Sequence, residues 1–353
     1  MAVAHDPDLR TRRSGGAGWI TLDRPAKLNA LTPEMVAEMA RLLQEWERDA
    51  DLRLVLLDGA GARGFCAGGD IKFVRDSGLA RDGQAQIFWA DEYRLDAQIA
   101  GFGKPVVAFM TGIVMGGGVG LSAHTRHRIV TESTRLAMPE AGIGLIPDVG
   151  STWLFSRARG ETGTYLALTG SAVGAADAIA LGLADHFVAE AALEALKAAL
   201  VLACPNTSEQ VSAVVERFAG PPGEPLLAAR QPPIDRAFAH DTVEQILAAL
   251  RSEGSEFALA TAREIGAKSP TSLKLTLRAL REARGFASLQ DGLRLEYRVV
   301  CRLLGGHDFY EGIRAAVIDK DRRPSWSPSR LDGVAPAALD QYFASLGTHE
   351  LRL

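Results

Sequence analysis

The chain has 353 residues, 47% hydrophobic and 23% charged, with a formal net charge of −4. This is ordinary globular composition, with length for a main core and a second layer. It excludes a basic field for nucleic acid or an anionic membrane, any run near the ~20 apolar residues of a membrane span, and, with three cysteines, a disulfide framework. The three cysteines suit a reducing compartment. No apolar signal segment opens the chain. Arg10, Arg12 and Arg13 suggest a transit peptide, but Asp6 and Asp8 break its acid-poor composition, so this stretch reads as a short tail of a cytoplasmic protein.

Gly18 to Leu22 reads as a strand, closed by Asp23-Arg24-Pro25, and 26–31 as a loop. Thr32 is placed to cap a helix with Pro33 at its first position, and Val36, Met39, Leu43 and Trp46 recur at helical spacing. Leu54 to Leu57 is the next strand, with 59–64 a glycine-bearing turn. Gln84 to Ile99 reads as a helix whose apolar face includes Ile87, Phe88, Leu95 and Ile99.

Val106 to Met110 is a short apolar run between Lys-Pro and Thr-Gly, a buried strand. The triple glycine 116–118 and the small apolar segment Val119 to Ala123 follow. Strand, glycines, helix is an order that leaves backbone N–H groups unpaired at a helix start, where an oxyanion is stabilised. Arg128 to Thr131 is another strand. Glu140, in Met-Pro-Glu, and Asp148, in Ile-Pro-Asp-Val-Gly, stand among apolar residues, where an acid usually serves chemistry or an ion pair with a residue such as Arg157.

Beyond Ala175 strands become scarce. Residues 191–203, 241–251, 255–266, 270–284 and 288–303 have helical spacing, with Asp241 and Pro270 suited to helix starts, and 220–225 and 231–233 are Pro-rich breaks. Two regions are expected, a core over 1–190 and a mainly helical region over 191–353. The alternation of strands and helices is α/β, and fits either a layered spiral or a doubly wound sheet.

Phe65-Cys-Ala-Gly-Gly-Asp-Ile71 followed by the triple glycine resembles the crotonase (enoyl-CoA hydratase/isomerase) superfamily. Met115 to Ser122, Ala137-Met-Pro-Glu140, Gly144 to Gly150, Asp308 to Arg314 and Ile318 to Asp321 with Trp326 resemble its 3-hydroxyisobutyryl-CoA hydrolase subfamily, over roughly residues 16 to 345. The resemblance implies a crotonase-like ββα spiral core with a C-terminal helical layer. It implies hydrolysis of a short 3-hydroxyacyl-CoA thioester, in valine degradation. The acyl-CoA is then the substrate, and no separate cofactor, metal or membrane partner is expected; a homo-oligomer is left open.

The resemblance also implies roles. Gly69 and Gly117 form the oxyanion hole, although glycines also serve tight turns. Glu140 is the shared catalytic Glu, acting as nucleophile or base, and Asp148 is the hydrolases' second carboxylate. Glu92 contacts the acyl group's hydroxyl. Arg24 and Lys27 lie at the edge that meets the CoA phosphates, where exposed basic residues are also common. Hydratases carry a second Glu at the position of Gly120, so the hydratase/isomerase reading is disfavoured. A non-catalytic binding protein on the same fold is the third reading, and the intact glycines and acids speak against it. Cys66 has no accompanying His motif and reads as filler. His124 and His127, three apart on an expected helix, have no third ligand.

Overall fold

The computed structural model describes residues 8–353. It is an α/β fold whose chain divides into two compact units, each drawn from three stretches. The first comprises Met1–Asp70, Asp91–Leu136 and Val173–Leu226; the second comprises Ile71–Ala90, Ala137–Ala172 and Leu227–Leu353.

The first unit is organised by the strands β1 (Leu9–Ser14), β2 (Ala17–Leu22), β3 (Leu54–Gly59), β4 (Gly64–Cys66), β5 (Val106–Met110), β6 (Ile113–Met115), β7 (His127–Val130), β8 (Arg135–Ala137) and β9 (His186–Phe187). Six form one sheet in the order β1-β2-β3-β5-β7-β9, and three form another in the order β4-β6-β8. In the large sheet β1 is antiparallel and the other pairings are parallel. Both faces are buried, as parallel pairing demands. Trp19, Leu54, Leu56, Val107, Phe109 and Ile129 face one core, closed by Leu193, Leu196 and Leu200 of the helix Leu193–Ala203 and by Val211 and Val215. Ile20, Val55, Leu57, Ala108 and Val130 are buried on the other face.

The expected strands at 18–22, 54–57 and 106–110 are present. The tail reading of the N-terminus needs correction where it is described: Leu9–Ser14 pairs along β2 from Leu9↔Leu22 to Ser14↔Ala17. Leu9 is buried while Arg10, Arg12 and Arg13 are exposed, so the arginines decorate an edge strand, which charge protects from further pairing. Asp6 and the rest of residues 1–7 lie outside the described residues. The helix Pro33–Arg48 begins as expected, with the Met35 N–H donating to Thr32 Oγ1 at 3.2 Å. The helix Gln84–Gly101 buries Phe88, Leu95 and Ile99, but Ile87 is 52% exposed and leaves the expected apolar face.

The second unit is mainly helical. Val243–Glu253, Glu256–Gly266, Pro270–Ala283 and Leu289–Leu303 match the expected helices, and Thr242, Ser255, Ser269 and Ser288 cap them. Thr242 rather than Asp241 is the first of these caps, one residue later than expected. Each such cap contributes about 1 kcal/mol. Gln231-Pro-Pro is not a break but the first turn of the helix Gln231–Phe238, where proline lacks only an N–H that has no intrahelical acceptor. Among the described residues no helix is long and apolar enough to cross a membrane.

Candidate active site

The first unit builds a cradle from two short strands. β4 and β6 run parallel, Gly64 opposite Ile113 and Cys66 opposite Val114, so the loops that leave them emerge side by side. After β4 the chain turns through Gly68 at φ +106; after β6 it turns through Gly116 at φ +49. Both are left-handed conformations that side chains avoid. The two loops touch. A Cβ on Gly68 would lie 3.4 Å from the Gly117 nitrogen, and one on Gly118 would strike the Cys66 carbonyl. Gly117 opens the helix Gly117–Ala123, all of it buried, and no side chain caps that start. The Val119 and Gly120 N–H groups donate to the Gly116 carbonyl at 2.8 and 3.2 Å, and the N–H of Gly117 precedes these first helical bonds. Gly69 bridges to Leu31, and the Asp70 N–H donates to the Leu31 carbonyl at 2.8 Å. The N–H groups of Gly69 and Gly117 are thus carried by loops in contact.

Asn29 is an anchor that sequence reasoning missed. It is fully buried at φ +55, accepts from the Arg24 N–H at 2.9 Å, and its Nδ2 reaches the carbonyls of Ala60, Gly64 and Phe65 at 3.0, 3.0 and 3.1 Å. It ties the 24–31 loop to the strand that carries the first glycine loop.

Glu92 stands against Gly117. It is 3% exposed, and a Cβ on Gly117 would occupy the place of its Oε1. It lies on the buried stripe Phe88–Glu92–Leu95–Ile99, where the helical repeat sets an acid among apolar residues. Cys66, beside it, is wholly buried; burial, with the Glu92 charge adding to it, pushes its thiol up to about 12. This is an inert thiol.

Arg24 and Lys27 lie in the same unit. The Arg24 guanidinium meets Asp8 at 2.9 Å, the Ala30 carbonyl at 2.6 Å and Asp70 at 3.4 Å. Lys27 ends a short 3-10 turn, Pro25–Lys27, and is exposed. His124 closes the helix Gly117–Ala123 and His127 begins β7, so the two are not on one helix as expected. Among the described residues no three His, Cys, Asp or Glu side chains group as metal ligands would.

The second unit holds the other two acids, each 7% exposed. Glu140 begins the 3-10 turn Glu140–Ile143, which Gly144 closes at φ +75. That turn is clamped by the 308–312 segment. A Cβ on Gly144 would strike the Asp308 carbonyl, and one on Gly312 would strike the backbone of Ile143. Asp308 is itself held by Ser269 Oγ at 2.6 Å and the Ser327 N–H at 2.7 Å, while the Ser269 N–H donates to the Ala141 carbonyl at 3.2 Å. The far-end motif therefore supports the turn that carries Glu140.

Asp148 precedes Val149 at φ +53 and Gly150 at φ +82. The next residues meet Glu296, the second anchor that sequence reasoning missed. The Gly150 N–H donates to Glu296 Oε2 at 2.7 Å; the Thr152 N–H and Oγ1 donate to Oε1 at 2.9 and 2.5 Å. Glu296 is fully buried on the helix Leu289–Leu303, in line with Leu289, Leu293, Val300 and Leu303. Burial, with the Asp148 charge adding to it, raises its carboxyl to about 7 against the hydrogen bonds it accepts. Arg157, the ion-pair partner considered for these acids, lies over the Trp153 ring at 3.2 Å and donates to the Ala283 and Phe286 carbonyls.

The family model for enoyl-CoA hydratase/isomerase matches residues 17–343. The chain is 43% identical to a 3-hydroxyisobutyryl-CoA hydrolase, mitochondrial, of Danio rerio, covering 100% of this chain and 94% of that protein. It is 40% identical to the protein of the same name from Homo sapiens, over 98% and 90% of the two chains. Two solved structures are similar throughout. One, described as a carnitinyl-CoA dehydratase from Mycobacterium thermoresistibile, has a TM-score of 0.93 at 44% identity, over 98% of this chain and 99% of that one. The other, described as an enoyl-CoA hydratase from Rhodobacter sphaeroides 2.4.1, has a TM-score of 0.89 at 43% identity, over 98% and 100%. Motifs, fold and full-length identity agree, and the chain belongs to the enoyl-CoA hydratase/isomerase family, in its 3-hydroxyisobutyryl-CoA hydrolase branch.

Proposed function

We propose that the chain hydrolyses 3-hydroxyisobutyryl-CoA to 3-hydroxyisobutyrate and CoA. The observation that carries this is the placement of Glu92 against Gly117. If the Gly69 and Gly117 N–H groups hold the thioester oxygen, a carboxylate beside Gly117 lies where a hydroxyl two carbons beyond the carbonyl would need an acceptor. The two N–H donors stabilise charge that develops only when the carbonyl is attacked; losing one such donor costs roughly 2.7–4 kcal/mol.

Glu140 is assigned the attack, either on the carbonyl carbon, giving an anhydride, or by taking a proton from the water that attacks. In both routes the C–S bond breaks and the CoA sulfur leaves as thiolate, which takes up a proton; on the first route water then opens the anhydride, releasing the acid and the Glu140 carboxylate. Asp148 positions water or carries that proton. Hydroxylamine quenching of a turning-over enzyme separates the routes, because only an anhydride leaves a hydroxamate on Glu140. Arg24 and Lys27 are proposed for the CoA phosphates, with Lys27 the freer of the two, since Arg24 is already held by Asp8 and Asp70.

Hydration of an enoyl-CoA is the second reading, favoured by the descriptions of the two similar structures. Adding water across a double bond uses one carboxylate to activate water and another to handle the α-proton. The helix Gly117–Ala123 offers Gly120 at the expected place of the second. The test is thiol release from 3-hydroxyisobutyryl-CoA beside hydration of crotonyl-CoA. Faster hydration than hydrolysis would overturn the assignment.

A further inference from the structure

The turn after Asp148 is strained. Val149 is β-branched and sits at φ +53, a conformation its side chain disfavours, and Gly150 follows at φ +82. Such a turn persists only where its surroundings over-determine it. Within the turn the Ser151 N–H donates to the Asp148 carbonyl at 2.9 Å, and from across the fold one side chain holds it. Glu296 takes three hydrogen bonds from Gly150 and Thr152, across 146 residues of sequence in the Gly150 case. Its neighbours on the same helical stripe are Leu289, Leu293, Val300 and Leu303. An apolar residue would fill that stripe without the cost of burying a carboxylate, so packing does not explain the acid. Hydrogen bonding to one backbone turn does. The helix that carries Glu296 is itself set by a capping box between Ser288 and Asp291, which gives the anchor a fixed base.

We propose that Glu296 is a positioning residue for Asp148: by holding the Val149–Gly150 turn in its left-handed form, it fixes the direction of the Asp148 carboxylate. The proposal deepens, and rests on, the assignment of Asp148 to the hydrolytic reaction. The Asp148 charge adds to the rise of the Glu296 carboxyl, so the two groups lie within electrostatic reach of each other.

Glu296→Gln keeps the volume but replaces one acceptor oxygen with an amide donor, so the turn loses part of its anchor. The test is a cycle of Glu296→Gln, Asp148→Asn and the double variant, with kcat, KM and a thermal melt measured for each on 3-hydroxyisobutyryl-CoA. A positioning role predicts that Glu296→Gln lowers kcat about tenfold or more with KM within about twofold. It also predicts that the double variant is no slower than Asp148→Asn by more than about twofold, because Glu296 acts through Asp148. A melt shift alone does not produce that non-additivity. Losses that multiply would overturn the proposal and leave the Asp148 assignment standing. Asp148→Asn with wild-type kcat would overturn both. Should Glu296→Gln not fold, Thr152→Val, which removes one donor to Glu296 and keeps the carboxylate, takes its place in the cycle; losses that multiply with those of Asp148→Asn would likewise overturn the proposal.

Discussion

Replacing Glu92 with Ala separates recognition of the substrate from its chemistry. Glu92 is 3% exposed, so water does not readily replace its carboxylate as acceptor for the substrate hydroxyl. A hydrogen bond to a charged group is worth about 1.5–3 kcal/mol, and a buried hydroxyl left unpaired sits at the upper end of that range. The specificity constant for 3-hydroxyisobutyryl-CoA should therefore fall roughly 10- to 150-fold. Isobutyryl-CoA has no hydroxyl to lose. In the wild type it leaves the Glu92 carboxylate facing a methyl group, so Glu92→Ala should leave its rate unchanged or raise it. The preference between the two esters should shrink by the full factor. The assay is thiol release from both esters, with Glu92→Gln as a control that keeps the shape and one acceptor oxygen. An equal loss on both esters would refute the reasoning and make Glu92 structural or catalytic.

Glu140→Gln, close to isosteric, should slow both esters together by roughly 10²- to 10⁴-fold while leaving the thermal melt in place; retained turnover would remove Glu140 from the mechanism. Gly117→Ala would push a methyl into Glu92 Oε1 and to 3.0 Å from Leu31 Cδ1, and should cost roughly 10²- to 10³-fold in kcat. Its signature is loss of both rate and hydroxyl preference, and a lost preference at unchanged rate would argue against the oxyanion role. Cys66, with its thiol near 12, should resist iodoacetamide at pH 8 in the native protein and react after unfolding, as read by peptide mass; native labelling at the unfolded rate would contradict its burial. The Arg314 guanidinium and the Ser325 N–H hold the Glu311 carboxyl down at about 2, against 4.5 in its ordinary state. A depressed carboxyl stabilises the fold above about pH 4.5 and loses that contribution as pH falls toward 2. The urea midpoints of wild type and Glu311→Gln should accordingly differ at pH 7 and converge near pH 2; a gap that widens in acid would show the sign to be wrong.

Features that depend on local chemistry were legible in the chain. Thr32-Pro33 and Pro270 announce helix starts, because a capping hydroxyl and a preset φ act within one turn. The apolar run 106–110 announces a buried strand, and the glycines after it announce a backbone that a ligand can approach. Glu140 and Asp148 stood out because each interrupts apolar surroundings, whereas Glu92, next to Asp91 and near Arg94, was marked by the family resemblance alone. Features that depend on partners far along the chain were not legible. β4, β6 and β8 have three residues each, too short for any periodicity, yet β4 beside β6 is what brings Gly68 and Gly117 together. β1 looked like a charged tail because only its pairing with β2 makes it a strand. Ile87 adjoins Phe88 at the edge of the apolar stripe, but which edge of a stripe meets the core is settled by what packs there. Asn29 and Glu296 carry no motif. Their meaning lies in carbonyls and N–H groups that the folded chain brings to them, and in the case of Glu296 a donor comes from 146 residues away, a distance at which sequence spacing holds no record of contact.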